Sequence, residues 1–331
     1  LALFVLMAYG QEKKFALYSV AFYNMENLFD TIHDEGKNDY EYLPNGTNQW
    51  NTMKYKAKLK NMSEILSLLS TDKLPMGPAI IGVSEIENYR VLEDILKQPA
   101  LADRGYQYVH YEGEDQRGVD CAFFYNPKLF ELTNSKLVPY VYINDTIHKT
   151  RGFLIASGNI AGEKMHFIVN HWPSRAAASP ARERAGEQVR AIKDSLLRED
   201  SAAKIVIMGD MNDDPMDKSM AVALGAKRKP ADVGPTDLYN PWWDTLKKGY
   251  GTLMYKGKWN LFDQIVFTGN LLGTDRSTLK FYKHEIFRRD FMFQKEGKYK
   301  GYPKRTQAGG VWLNGYSDHL PTIIYLIKEM K

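Results

Sequence analysis

Short apolar runs recur along the chain, and most end in a polar cluster: ALYSVAFYN (16–24), AIIGVSE (79–85), VDCAFFY (119–125), MHFIVNH (165–171), KIVIMGD (204–210) and LFDQIVF (261–267). Runs this short, rich in β-branched and aromatic residues, predict buried strands rather than helices. RGFLIA from Arg151 and the final run LPTIIYLI extend the same pattern. Helical periodicity fills the gaps. Tyr55, Leu59, Met62, Leu66 and Leu69 advance by 4, 3, 4 and 3, which sets them on one helical face. Ala185, Val189, Ile192 and Leu196 repeat that spacing in ARERAGEQVRAIKDSLLRE. Strands alternating with helices predict an α/β protein whose helices cover its sheets. No repeat, low-complexity block or Pro/Ser-rich linker interrupts the pattern, so one domain is expected over residues 11–331. Residues 276–305 hold ten Lys/Arg against three Asp/Glu and read as a long basic loop region.

The first residues differ from the rest. Residues 1–8 (LALFVLMA) are uninterruptedly apolar and lead through Tyr9-Gly10 into Gln-Glu-Lys-Lys. That pattern predicts a signal-peptide remnant over 1–10, a mature chain from Gln11, and a secreted or periplasmic protein. The run is far short of the roughly 20 residues of a membrane-spanning helix, so no stable membrane anchor is expected. The 331 residues are 44% hydrophobic and 25% charged, ordinary for a globular fold, which excludes disordered and collagen-like classes. A single cysteine, Cys121, excludes an internal disulfide framework and a thiolate-rich zinc cluster, and its apolar run predicts a core thiol. The net charge of +4 is compatible with an anionic ligand and says little more. Nothing in the sequence calls for an obligate protein partner.

Candidate chemistry gathers where strands end. Asn24 and Glu26 follow the first run, Glu85 closes the second, Asn170-His171 the fourth, and Asp210-x-Asn212 the fifth; Ser317-Asp318-His319 precedes the last. Strand ends hold side chains rigidly. Should these ends converge, oxygen ligands and two imidazoles face one crevice. Oxygen-rich ligation without thiolates suits Mg²⁺, Mn²⁺ or Ca²⁺. A hard cation beside imidazole and aspartate suits phosphate-ester hydrolysis: the metal neutralises phosphoryl charge, a base orients water, and an acid assists the leaving oxygen.

Six blocks, FYNMENLFD, GVSEIEN, NHWPSR, GDMNDDP, LFDQI and GYSDHLP, in this order over Val20 to Leu326, resemble the signature blocks of the endonuclease/exonuclease/phosphatase superfamily. The resemblance implies a deoxyribonuclease-I-like, four-layer α/β sandwich: two mixed sheets packed face to face with helices outside. It implies divalent-metal-dependent hydrolysis of phosphodiesters or phosphomonoesters at one edge. Glu85 then resembles the principal metal-ligating glutamate, Asp318 the second metal carboxylate, and Asn24 the asparagine orienting metal or phosphate. Glu26 stands where many nucleases carry an aspartate and is a candidate ligand. His319 resembles the acid/base histidine on the scissile phosphate, and Asp263 its hydrogen-bonded aspartate. Asp210 and Asn212 resemble the pair that positions water and a phosphoryl oxygen. His171 resembles the second histidine, with Asp120 a candidate partner for it. Asn170 and Arg151 are expected on substrate phosphate, although Asn170 adjoins His171 where the family pattern separates the two by one residue.

The expected activity is therefore a Mg²⁺- or Mn²⁺-dependent nuclease or phosphodiesterase acting on nucleic acid. The alternatives are a phospholipid, sphingolipid or sugar-phosphate esterase of the same superfamily, and a binding module whose catalysis has lapsed. The last is disfavoured because every expected acid, amide and imidazole is present.

Overall fold

A computed structural model describes residues 14–143, 145 and 147–330. The expected signal-peptide remnant, residues 1–10, lies outside them. The strands are β1 (Phe15–Leu28), β2 (Ile80–Ile86), β3 (Gln107–His110), β4 (Asp120–Tyr125), β5 (Phe130–Val138), β6 (Phe153–Ile160), β7 (Glu163–His171), β8 (Lys204–Asp210), β9 (Ala226–Lys227), β10 (Leu238–Tyr239), β11 (Leu253–Tyr255), β12 (Lys258–Asn260), β13 (Asp263–Thr268), β14 (Lys280–Ile286), β15 (Gln307–Ala308), β16 (Val311–Trp312) and β17 (Thr322–Glu329). The helices are α1 (Thr52–Leu68), α2 (Tyr89–Leu96), α3 (Ser179–Glu199) and the short α4 (Trp243–Lys247).

One sheet runs β14-β17-β1-β2-β4-β3 and the other β5-β6-β7-β8-β13-β10-β9. Both are mixed: β1 and β2 are parallel, as are β7 and β8, while their other neighbours are antiparallel. The side-chain alternation of strands builds the layers. Val20 and Phe22 of β1 point between the sheets, whereas Ala21 and Tyr23 point outward toward α1 and α2. Val206 and Met208 of β8 likewise face the first sheet, while Ile205 and Ile207 face α3. The order helix, sheet, sheet, helix is the expected four-layer α/β sandwich. At its tightest the sheets meet over Gly82, where an added Cβ would lie 2.5 Å from the Met208 sulfur.

The helices follow their apolar faces. Leu59, Met62 and Leu66 of α1 are buried, as is Leu69 just past its end, and Asn51 caps the start by accepting from the Lys54 N–H (3.1 Å). Ala185, Val189 and Leu196 bury the inner face of α3. One expectation fails here: the basic stretch 276–305 is not all loop. It contains β14, an edge strand hydrogen-bonded on one side, to β17. Half-buried on both faces, it lacks the apolar alternation that marks a strand in sequence. Trp242 is also spent on packing, fully buried with its indole N–H on the Ile265 carbonyl (2.9 Å).

Candidate active site

Register places three strand ends of the second sheet side by side: His171 pairs with Asp210, and Asp210 with Asp263. From the first sheet come Asn24 and Glu85, each at an irregularity of its strand. Glu85 and Glu26 hold left-handed backbones (φ 59° and 45°), as does Asn212 (φ 52°), conformations side-chain-bearing residues seldom adopt. The Asn24 amide joins the two sheets, donating to Asp210 Oδ2 (3.0 Å) and Glu85 Oε1 (3.3 Å). Glu85 Oε2 accepts from the Asn27 N–H (2.9 Å). The loop before β17 completes the ring. His319 sits with Nδ1 2.7 Å from Asp263 Oδ2 and Nε2 3.8 Å from Asp210 Oδ2. His171 Nε2 stands 3.7 Å from both Glu85 Oε1 and Asp210 Oδ2. Asn212 donates its backbone N–H to Asp210 Oδ1 (3.0 Å) and its amide to the Trp172 carbonyl (3.0 Å).

The two imidazoles carry opposite electrostatics. Burial opposes charge on His319, but Asp263 and then Asp210 overcome it and hold its pKa well above the ordinary value. His171 is pushed well below by burial first and the Arg151 charge second, and its Nδ1 is buried without a partner. Burial raises the Asp210 carboxyl to about 7, with Asp263 and Glu85 adding like-charge repulsion and His319 opposing it. The site is thus a crowd of carboxylates short of positive charge, which a divalent cation would relieve. Oxygen donors of Glu85 and Asp318 suit such an ion. The donor atoms of Asp210, Asp263 and His319 also lie within 4.8 Å of one another. The 2.7 Å hydrogen bond inside that trio and the raised imidazole pKa also suit it to moving a proton.

Several predicted residues do other work. Asn170 is fully buried, its amide on the Ile168 and Met208 carbonyls (3.0 Å each) and its oxygen accepting from the Trp172 indole (3.3 Å); nothing is left for phosphate. Arg151 is equally committed, to the His171 and Trp172 carbonyls (3.3 and 2.8 Å) and to Asp115 (3.1 Å), so it braces the end of β7 from inside. Asp120 pairs with His110 (3.3 Å) and the Gly113 N–H (3.0 Å), not with His171. Glu26 is used on both oxygens, by Arg305 Nε (2.8 Å) and the Thr306 N–H (2.7 Å), and ties the segment before β15 to β1.

Sequence reasoning missed Arg305 and Lys58. Arg305 bridges Glu26 and, through Nη2, Asp318 (2.9 Å). Lys58 is wholly buried inside α1, donating to Thr306 Oγ1 (2.5 Å) and the Tyr316 carbonyl (2.7 Å) with Glu26 4.0 Å away. A lysine among Met62, Leu59 and Tyr55 on an otherwise apolar face was the available signal. His110 gathers with Glu112 and Asp120, their donor atoms within 4.8 Å of one another.

A family model described as Endonuclease/Exonuclease/phosphatase family matches residues 19–328. The chain belongs to this family. It is a hydrolase of phosphate esters, and the family's divalent-metal dependence agrees with the crowded carboxylates. No curated protein sequence matches it. Among solved structures, an endonuclease/exonuclease/phosphatase family protein from Bacteroides thetaiotaomicron is similar at 15% identity and TM-score 0.59, over 96% of this chain and 98% of that one. The mannosyl-6-phosphatase of the same organism matches at 14% and 0.57, over 93% and 99%. TDP2 of D. rerio complexed with single-strand DNA product matches at 14% and 0.54, over 94% and 99%. At these identities the likeness carries the fold alone.

Proposed function

We propose that the crevice hydrolyses a compact phosphate ester by attack of water on phosphorus. The observation that carries the chemistry is His319, held protonated between Asp263 and Asp210 and facing the Asn24–Glu85 pair across the sandwich edge. Glu85 and Asp318 would hold a divalent ion, Mg²⁺, Mn²⁺ or Ca²⁺, which when bound would neutralise charge at phosphoryl oxygen. His319 donates its proton to the phosphoryl or departing oxygen, and Asp263 keeps the ring oriented for that transfer. Asp210, fixed by the Asn24 amide and the Asn212 N–H, orients the incoming water. His171, kept neutral, offers an uncharged imidazole to the bound phosphate.

Compactness of the substrate rests on where the basic residues go. Polynucleotides are bound through rows of lysine and arginine on successive phosphates. Here the cations of 276–305 are dispersed: Arg276 over Phe15 (5.2 Å), Lys283 over Tyr325 (4.8 Å), Arg289 over Phe287 (4.1 Å) and Lys280 on the Asn270 carbonyl (2.7 Å). Similar folds include a mannosyl-6-phosphatase and a TDP2 with single-strand DNA, so both classes occur on this scaffold. Nucleic acid, the substrate expected from sequence, is the second reading, favoured by the exposed Tyr255 and Tyr299 as stacking faces near the crevice.

Release of p-nitrophenol from p-nitrophenyl phosphate and bis(p-nitrophenyl) phosphate, with Mg²⁺, Mn²⁺ or chelator, tests the chemistry. His319→Asn and Asp263→Asn should each lower kcat at least about 10²-fold. Full activity in both variants would remove the site from the reaction. Export is proposed from residues 1–10, and fractionation of cells expressing the gene tests it; protein confined to the cytoplasm would refute it.

A further inference from the structure

Beside the crevice lies a cavity of about 920 Å³, and Glu26, Arg305 and Asp318 belong to both. Its volume is that of a small-molecule site, for which roughly 300–1,000 Å³ is usual. The far wall is the segment 294–313 with the β15–β16 hairpin, and the near wall is the β11–β12 turn. The two walls are joined where the Gly257 N–H donates to the Tyr302 hydroxyl (2.6 Å). A group that leaves phosphorus on the Asp318 side would enter this partly open cavity.

The lining says what that group is. Arg305 is consumed by Glu26 and Asp318. Beyond it the lining holds two lysines, Lys256 and Lys298, and two glutamates, Glu41 and Glu296, so no excess positive charge awaits a second phosphate. Both lysines lean over tyrosine rings, Lys256 5.2 Å from the centre of Tyr255 and Lys298 5.5 Å from Tyr299. Those rings are 61% and 50% exposed, and flat apolar faces are on offer. Around them stand carboxylates and amides, Glu41 accepting weakly from Asn48 (3.4 Å) and Gln294 on the opposite wall. Carboxylates and amides accept and donate to hydroxyl groups, while an aromatic face packs the C–H face of a pyranose. A nucleobase would use the rings but offer the carboxylates fewer hydroxyl donors than a sugar does.

We propose that this cavity is the leaving-group subsite for a phosphorylated carbohydrate carrying no second phosphate. The proposal rests on the compact-ester reading above. In the reaction, the water oxygen bonds to phosphorus, the bond from phosphorus to the sugar oxygen breaks, and the sugar departs as an alcohol with the proton donated to it. Tyr255, Tyr299 and Glu41 are specificity residues that touch the sugar and not the phosphorus.

The test compares substrates on the full chain with Mg²⁺ or Mn²⁺: hexose 1-phosphates, hexose 6-phosphates, nucleoside monophosphates, a single-stranded oligonucleotide and p-nitrophenyl phosphate. A hexose phosphate should be preferred over the nucleotides at least tenfold in kcat/KM. Tyr255→Ala, Tyr299→Ala and Glu41→Gln should each lower that value about 5- to 50-fold through KM, and Glu41→Gln should leave p-nitrophenyl phosphate, whose leaving group carries no sugar hydroxyls, within twofold. Preference for nucleotide or oligonucleotide, or equal losses on both kinds of ester in Glu41→Gln, would overturn it. Calorimetric titration of hexose 6-phosphate into His319→Asn protein separates the two proposals. Binding that weakens in Tyr255→Ala, without turnover by the native enzyme, would keep the subsite and defeat the hydrolytic reading. Absence of such binding would defeat the subsite even if p-nitrophenyl phosphate is hydrolysed.

Discussion

Asp263 and Asp210 flank His319 and raise its pKa against the opposing pull of burial, while burial first and neighbouring carboxylates after it raise Asp210 to about 7. Individual side chains at this edge are thus tuned by neighbours from other strands. Arg151 shows the opposite use of a charge. Its guanidinium stitches the carbonyls of His171 and Trp172 to Asp115, all out of solvent. Arg151→Met should therefore cost stability and not substrate affinity. Breaking a buried pair costs about 3–5 kcal/mol, so urea unfolding should shift by an amount of that order while KM changes less than about twofold. A tenfold rise in KM at unchanged stability would restore Arg151 to the phosphate. Asn170 belongs with it: its neighbours name it a ligand, yet every polar atom it has is satisfied by β7, β8 and Trp172.

Among elements, β2 and β8 matter most, since each ends in a carboxylate of the site and they cross at Gly82 and Met208. Gly82→Val would drive a side chain into the Met208 sulfur and, at 3.2 Å for Cβ alone, into Val169. Overpacking of this kind costs about 1–3 kcal/mol. Unfolding should register it, and kcat should fall with it, because Glu85 stands three residues along the displaced strand. Met208→Ala in the same chain should recover part of both; no recovery would place the fault elsewhere than this crossing. The basic stretch illustrates why elements can hide. β14 is an edge strand, half-buried on both faces, so neither alternation nor an apolar run betrays it.

For the whole molecule, stability should respond to metal and to pH. A cation that relieves the carboxylate crowd binds only the folded chain, and at a hundred times its Kd it adds about 2.7 kcal/mol. Mn²⁺ should raise Tm, chelator should reverse the rise, and Glu85→Gln should abolish it; an equal rise in that variant would move the ion to another site. Protons act through His284, packed against Trp242 and bonded to Thr245, where burial and then Lys248 lower its pKa to about 4. A folded pKa below the unfolded value near 6.5 means the stability is present above 6.5 and lost as pH falls toward 4. That window is worth about 3 kcal/mol. His284→Gln should flatten the loss between pH 6.5 and 4 in denaturant melts; an unchanged slope would assign it to other groups.

The sequence alone determined the strands with apolar runs, the two long helices and the polar residues at the strand ends, because burial imposes periodicity and strand termini impose position; the four-layer sandwich followed from the resemblance of its signature blocks. Asn24, Glu85, Asp210, Asp263 and His319 meet as that pattern requires. Only the tertiary structure decided which polar residues near the edge are free to act. Asn170, Arg151, Asp120 and Glu26 carry the right chemistry at the right positions, but hydrogen bonds formed in the fold occupy each of them. No periodicity records that commitment, since it depends on how strands, turns and loops pack together, over 279 residues of chain in the case of Glu26 and Arg305. The same holds for the cavity beside the crevice: its walls come from turns whose sequence has no period, and they become a wall only when packed against one another.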